Sequence, residues 1–85
     1  MNPIEENAAK ILMALVEKGI EEAEGEQIKQ IVGLNPEEIN DAVAYLKDLG
    51  AIEVHDWLGT APYKFGSATV TPRGKYLYYE MKENK

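Results

Sequence analysis

Apolar residues near the start of the chain recur at the spacing of an amphipathic helix. This stripe consists of Ile4, Ala8, Ile11, Leu12, Leu15 and Val16. Asn2 and Glu5 can form a capping box around Pro3, which suits a first helical position, and Gly19 is a typical helix stop. The pattern predicts a helix over residues 3–18 with one face packed on a core.

Two further helical patterns follow, and only three residues join them. The shorter pattern covers residues 26–32 and ends at Gly33, while the longer covers residues 36–49, has a second capping box from Asn35 and Glu38, and ends at Gly50. We expect their core residues to be Ile28, Ile31, Val32, Ile39, Ala42, Val43, Leu46 and Leu49. A short helix, a tight turn with glycine and a longer helix are typical of a helix-turn-helix.

After Gly50 the pattern becomes that of β-strands. Residues 51–58 begin with alternating apolar and polar side chains, residues 59–62 interrupt them, and a second strand falls within residues 63–71. These residues form a hairpin with a long tip, here called the wing (residues 51–71). Thr71 and Pro72 then repeat the signal of a helix start, for a last helix that reaches about Lys82. The acidic loop over residues 20–25 has room for a very short edge strand.

Together these elements predict an α+β fold. It is a winged helix-turn-helix with a three-helix core, a two-stranded antiparallel wing and a C-terminal helix. No linker, repeat or low-complexity segment divides the chain, so we expect a single domain over residues 1–85.

Two segments resemble the winged-helix domains of MarR-like and PadR-like prokaryotic transcriptional regulators. One is similar to the end of the recognition helix as it enters the wing: Leu46-Lys47-Asp48-Leu49-Gly50-Ala51-Ile52. The other is similar to the step from the wing into the last helix: Val70-Thr71-Pro72-Arg73-Gly74-Lys75-Tyr76-Leu77. The resemblance covers about residues 8–80. It implies that the helix over residues 36–49 reads the DNA major groove and that the wing contacts the backbone or the minor groove.

The charge of this acidic protein departs from what such a role favours. The net charge is −6; residues 1–50 carry four Lys and eleven Asp or Glu, while residues 51–85 carry five Lys or Arg and four Asp or Glu. Neutralisation of phosphates by cations supplies most non-specific affinity for DNA. DNA binding therefore requires that cations concentrate on one face of the molecule.

Six residues are candidate DNA contacts. On the helix over residues 36–49, a helical wheel places mainly carboxylates opposite the core, and the suitable flanking residues are Asn40, Tyr45 and Lys47. The other three are cations near or after the wing: Lys64, Arg73 and Lys75. These form a phosphate-binding patch if they converge, and they are ordinary solvated charges if they do not.

Aromatic side chains suggest further contacts. Tyr76 and Tyr79 lie on the side of the last helix opposite its apolar residues, which makes them candidates for a homodimer interface; half-exposed tyrosines with solvated hydroxyls are the alternative. We expect the wing aromatics Trp57, Tyr63 and Phe65 to pair across the two strands.

The chain offers no chemistry for catalysis. It has no cysteine, His55 is its one histidine and Ser67 its one serine, so we expect no enzyme activity, no metal site and no cofactor. The acidic start and the short apolar run over residues 11–16 predict a cytoplasmic protein without a membrane segment. Two hypotheses remain open: a DNA-binding, transcription-regulator-like homodimer that binds duplex DNA, and a protein–protein interaction module that does not.

Overall fold

A computed structural model describes residues 2–56 and 61–83 of the chain. Its helices are α1 (Pro3–Glu17), α2 (Gly25–Val32), α3 (Pro36–Asp48) and α4 (Pro72–Glu83), and its strands are β1 (Glu22–Ala23), β2 (Ile52–His55) and β3 (Ser67–Val70). The strands form an antiparallel sheet in the order β1-β3-β2. This is the predicted winged helix-turn-helix, and every helix boundary lies within one residue of its predicted position.

Local capping explains why the helix starts were predictable. At α1, Asn2 Oδ1 accepts from the Glu5 N–H at 2.8 Å, and Glu5 Oε1 accepts from the Asn2 N–H at 3.2 Å. The same reciprocal pair joins Asn35 and Glu38 at the start of α3. Each box satisfies two polar groups that an uncapped first turn leaves without partners.

The core lies where α1, α2 and α3 meet one face of the sheet. Its fully buried members include Ile11, Leu15, Ile28 and Ile39 from the helices, and Ile52, Phe65 and Ala68 come from the wing. Three predicted core residues lie outside the core: Leu49 is 38% exposed, Ile4 is 41% exposed, and Ile31 is only partly buried. Leu49 follows the last residue of α3 and lies at the edge of a groove, whereas Ile4 lies in the first turn of α1.

β3 lies within the predicted residues 63–71, and β2 covers four residues of the strand predicted over residues 51–58, of which 57 and 58 lie outside the described residues. β2 and β3 pair without interruption from Ile52 opposite Val70 to His55 opposite Ser67. The predicted edge strand is present as β1, which pairs with the other side of β3. The Ser67 hydroxyl, itself buried, strengthens that side by donating to Glu22 Oε2 at 2.8 Å.

Thr71 joins the wing to both α3 and α4. Its hydroxyl donates to the Gly50 carbonyl at 2.6 Å and accepts from the Gly74 N–H at 3.0 Å, so one oxygen caps α4 and binds the end of α3. Its N–H donates to the Ala51 carbonyl at 3.1 Å. The first turn of α4 is therefore fixed against the junction of α3 and β2.

Gly74 lets α4 approach that junction closely. A Cβ added at Gly74 would overlap the carbonyl oxygen of Ala51, which is backbone and has little freedom to move. The glycine in the segment that resembles Leu-Thr-Pro-x-Gly is therefore required by packing rather than by its backbone conformation.

We expect Gly74→Ala to destabilise the protein by about 2 kcal/mol or more, because the added methyl group forces α4 away from Ala51. Urea denaturation followed by circular dichroism measures this free energy of unfolding. Helix propensity alone acts in the opposite direction and favours alanine by about 1 kcal/mol. A stabilised Gly74→Ala variant would contradict the close approach. Glu80→Ala, on the exposed face of the same helix, is the control and should change stability by less than about 0.5 kcal/mol.

Candidate nucleic-acid interface

A cleft of about 140 Å³ separates α3 from the wing. Its polar lining residues are Asn40 and Lys47 from α3, and Asp56 and Lys64 from the wing. The α3–wing cleft thus brings together three of the six candidate DNA contacts. Both lysines are exposed, and Asp56 is a carboxylate that offsets part of their positive charge.

Asn40 uses its side-chain amide to hold the wing. Its Nδ2 donates to the Pro62 carbonyl at 3.1 Å, and its Oδ1 accepts from the Lys64 N–H at 2.9 Å. Both ends of the amide therefore bind backbone groups of one short wing segment. The side chain of Asn40, a candidate DNA contact from the sequence, is thus already bonded within the protein.

Tyr63 holds the same wing segment from the other side. Its ring lies directly over Gly25, where an added Cβ would overlap ring atoms, and its hydroxyl donates to Glu26 Oε2 at 3.1 Å. Desolvation, followed by the hydrogen bond and the charge of Glu26, raises the pKa of the Tyr63 phenol, so at neutral pH it stays a donor. The wing therefore packs on the start of α2 as well as on α3.

The predicted cross-strand pairing of the wing aromatics stays a prediction, because it needs Trp57 on the first strand. Tyr63 and Phe65 both precede β3 and contact each other edge to face, with ring centroids 6.1 Å apart. Phe65 is buried in the core, and the ring of Tyr63 packs on Gly25 at the start of α2. Trp57 lies outside the described residues.

Tyr45 faces α1 rather than the wing. Its hydroxyl donates to Glu5 Oε2 at 3.3 Å, and the side chain lines a mainly apolar groove of about 290 Å³ between α1, α3 and α4. Desolvation and then the Glu5 charge raise the pKa of Tyr45, which keeps this donor protonated at neutral pH. Tyr45 does not line the α3–wing cleft.

The three cations near or after the wing have separate surroundings. Lys64 lines the α3–wing cleft, whereas Arg73 Nε donates to the Leu49 carbonyl at 2.7 Å and so satisfies the end of α3. Lys75 Nζ lies 3.8 Å from Glu21 Oε1, in an exposed ion pair beside β1. Arg73 and Lys75 therefore do not join Lys64 in one cluster.

Carboxylates dominate the outer face of α3, as predicted. Glu37, Asp41 and Asp48 are exposed there, while Glu38 is used in the capping box. Lys47 lies at the side of this face, next to the wing. The positive charge of the helix is therefore confined to its border with the α3–wing cleft.

The two candidate interface tyrosines of α4 are both exposed, at 59% each. Tyr78, between them and the core, is buried and donates its hydroxyl to Glu17 Oε2 at 2.9 Å. The predicted division of α4 into a packed and an aromatic outer side is confirmed. Exposure alone does not test association, so the dimer interface stays a prediction.

The described residues contain no group of three or more His, Cys, Asp or Glu side chains that could hold a metal ion. His55 Nε2 lies 3.2 Å from Thr69 Oγ1 across the wing, which is an ordinary role for a strand residue. Among the same residues no helix has the length and apolar character needed to cross a membrane.

A solved structure of Bordetella bronchiseptica BpsR, a protein whose DNA binding is regulated by 6-hydroxynicotinic acid, shares this fold. The TM-score is 0.71 at 18% sequence identity, over 91% of this chain and 52% of BpsR. The chain thus spans about half the length of that protein, and at this identity the likeness concerns the fold alone. No family model and no curated protein sequence match the chain.

Sequence reasoning missed the contact of Tyr63 with the start of α2. A signal was present at Gly25, the first residue of α2. Glycine is less favourable in a helix than most other residues, so another residue would stabilise the helix more at this position. A glycine there indicates that another group approaches the backbone. The partner lies 38 positions away, and nothing in the periodicity identifies it.

We expect Arg73→Ala to lower the free energy of unfolding by about 1 kcal/mol, because the substitution removes a charged donor from the Leu49 carbonyl. Lys75→Ala is the matched control, since its ion pair is exposed and worth less than about 0.5 kcal/mol. Chemical denaturation of both variants measures the difference. Equal stabilities would show that Arg73 is only a solvated charge.

Proposed function

We propose that this chain is a DNA-binding, transcription-regulator-like module that contacts duplex DNA at the α3–wing cleft. The observation that carries the proposal is that Lys47 and Lys64, on two different elements, are exposed and line one cleft. In a winged helix-turn-helix the second helix of the motif enters the major groove beside the wing. The fold shared with BpsR supports the proposal of a DNA-binding module.

The proposed contacts are of two kinds, to the DNA phosphates and to the DNA bases. Lys47 and Lys64 bind phosphate oxygens on the two sides of the cleft, which fixes the position of α3 on the duplex. Ala44 is exposed in the same cleft and is small enough for contact with a thymine methyl group. Glu37 and Asp41 are left to accept from cytosine amino groups or to face solvent.

The charge of the protein sets the character of this binding. With a net charge of −6 and carboxylates beside the cleft, the chain gains little from long-range attraction to DNA. Affinity then depends on a small number of local phosphate contacts. We therefore propose weak binding by one copy, strengthened by pairing of two copies on neighbouring half-sites.

We propose further that two copies associate through the outer face of α4. Tyr76 and Tyr79 occupy the middle of that face, Arg73 lies at its start, and Glu80 and Glu83 lie toward its end. Two antiparallel copies of α4 would therefore place opposite charges against each other around an aromatic centre. An interface of this kind is self-complementary under a two-fold axis.

A second candidate function is a protein–protein interaction module that does not bind DNA. The observation in its favour is the exposed acidic face of α3, formed by Glu37, Asp41 and Asp48. Such a face suits a basic protein partner and repels phosphates. The two functions differ in which α3 residues they use.

We expect the chain to bind random duplex DNA at low salt, with a slope of log affinity against log salt of about −2 per chain from two phosphate contacts. Fluorescence anisotropy from about 50 to about 200 mM salt measures the slope. Lys47→Ala and Lys64→Ala should each reduce its magnitude by about 1.

Lys10→Ala provides the matched control, because Lys10 is exposed on α1 and does not line the cleft. It should leave the slope unchanged. If the protein shows no binding at low salt, or if Lys10→Ala weakens binding as much as Lys64→Ala, contact through the α3–wing cleft is excluded. Binding of a basic protein partner that is lost in a Glu37→Lys, Asp41→Lys variant would then favour the second function.

For the homodimer, we expect sedimentation equilibrium at micromolar concentration to show two copies. The combined change Tyr76→Ala and Tyr79→Ala should raise the dissociation constant at least about tenfold, since aromatic residues at the centre of an interface supply most of its binding energy. Lys10→Ala again serves as the control. A wild-type protein that stays monomeric throughout would remove the dimer from the proposal.

A further inference from the structure

The wing segment over residues 62–64 is ordered by α3 rather than by the sheet. β2 ends at His55 and β3 begins at Ser67, and the bond from the Gly66 N–H to the His55 carbonyl, at 2.7 Å, lies beyond them toward the tip. Residues 62–64 are outside this ladder. The Asn40 amide instead binds the carbonyl of Pro62 and the N–H of Lys64.

These two bonds fix both the position and the orientation of the segment. They lie on either side of Tyr63, whose ring packs on Gly25 and whose hydroxyl donates to Glu26. A single hydrogen bond would let the segment rotate, whereas two bonds from one planar amide and a ring packed on α2 do not. The backbone from which the Lys64 side chain extends is therefore held in place before any ligand binds.

We propose that Asn40 is a positioning residue, which holds Lys64 in place in the α3–wing cleft for contact with a DNA phosphate. This inference rests on the proposed function. A loop that is already ordered loses less conformational entropy when it binds, so the bonds from Asn40 increase affinity without a contact between Asn40 and DNA. The charged groups that share the cleft with Lys64 are Lys47 and Asp56.

The same geometry argues against Asn40 as a reader of bases. An asparagine that recognises adenine uses its carbonyl oxygen and its amino group together, on N6 and N7 of one base. Both ends of the Asn40 amide bind the wing, at 3.1 and 2.9 Å. Bidentate recognition of a base would compete with these two bonds for the same oxygen and amino group, and would loosen the segment that carries Lys64.

Amide hydrogen exchange of the free protein tests the structural half of the inference. In Asn40→Ala we expect the Lys64 N–H to exchange about tenfold faster, since it loses its acceptor, while the Gly66 N–H keeps its rate. Asn40→Asp retains an acceptor oxygen for the Lys64 N–H but loses the donor to Pro62, so it should restore only part of the protection at Lys64. If Lys64 exchanges at the wild-type rate in Asn40→Ala, Asn40 does not order the segment and the inference is wrong.

A double-mutant cycle on duplex DNA tests the functional half. Asn40→Ala and Lys64→Ala should each weaken binding by about three- to tenfold, the range expected for loss of one such contact. If Asn40 acts through Lys64, the double variant should bind no more weakly than Lys64→Ala alone. Independent, multiplying effects would mean that Asn40 contacts DNA itself or acts through global stability, and either result overturns the inference.

Asp41→Ala is the matched control, because Asp41 is exposed on the same helix one position away and its effect should multiply with that of Lys64→Ala. Unfolding temperatures of all variants show whether each is folded at the temperature of the binding measurements. Failure of the wild type to bind DNA would overturn the proposed function and with it the role of Asn40 in binding. Binding by the wild type with multiplying effects would overturn the inference alone.

Discussion

The close approach of α4 to the junction of α3 and β2 determines how the wing and the helices pack together. Gly74 leaves room for the Ala51 carbonyl, Thr71 binds the Gly50 carbonyl while it caps α4, and Arg73 satisfies the Leu49 carbonyl. Three residues within positions 71–74 thereby determine how the wing joins the helices. This joint lies within the segment that resembles the step from the wing into the last helix of winged-helix domains, and it uses the side chains of Thr71 and Arg73 and the absence of a side chain at Gly74.

The joint positions the candidate site without belonging to it. Because it fixes where β3 ends, it also fixes β3 against β2, and the wing then lies beside α3 with a cleft between them. The wing segment over residues 62–64 has a second attachment to the helices, through Asn40 of α3 and through the contact of Tyr63 with α2. An acidic chain can in this way present two lysines from different elements on one surface, while most of its carboxylates face elsewhere or cap helices.

The features that could be predicted from the sequence are those that local interactions determine, above all the helix boundaries. Asn2, Asn35 and the glycine at position 50 mark helix boundaries because capping and a left-handed turn, with φ of 76° at Gly50, involve only neighbouring residues. Long-range partners were not predictable from periodicity. Leu49 continues the apolar stripe of α3 and yet is exposed, because α4 leaves a groove beside it. How the elements pack also decides which separate partners Arg73 and Lys75 have. The same holds for the hydrogen bonds that the Asn40 side chain makes with Pro62 and Lys64, more than 20 positions along the chain.

We propose that this acidic protein contacts DNA through the surface between α3 and the wing. Titration of the isotopically labelled chain with a short duplex, followed by NMR chemical shifts, locates the contact surface. We expect salt-sensitive shifts concentrated at Lys47, Lys64 and the exposed residues between α3 and the wing. Shifts confined to the groove between α1, α3 and α4, or no shifts at low salt, would contradict it.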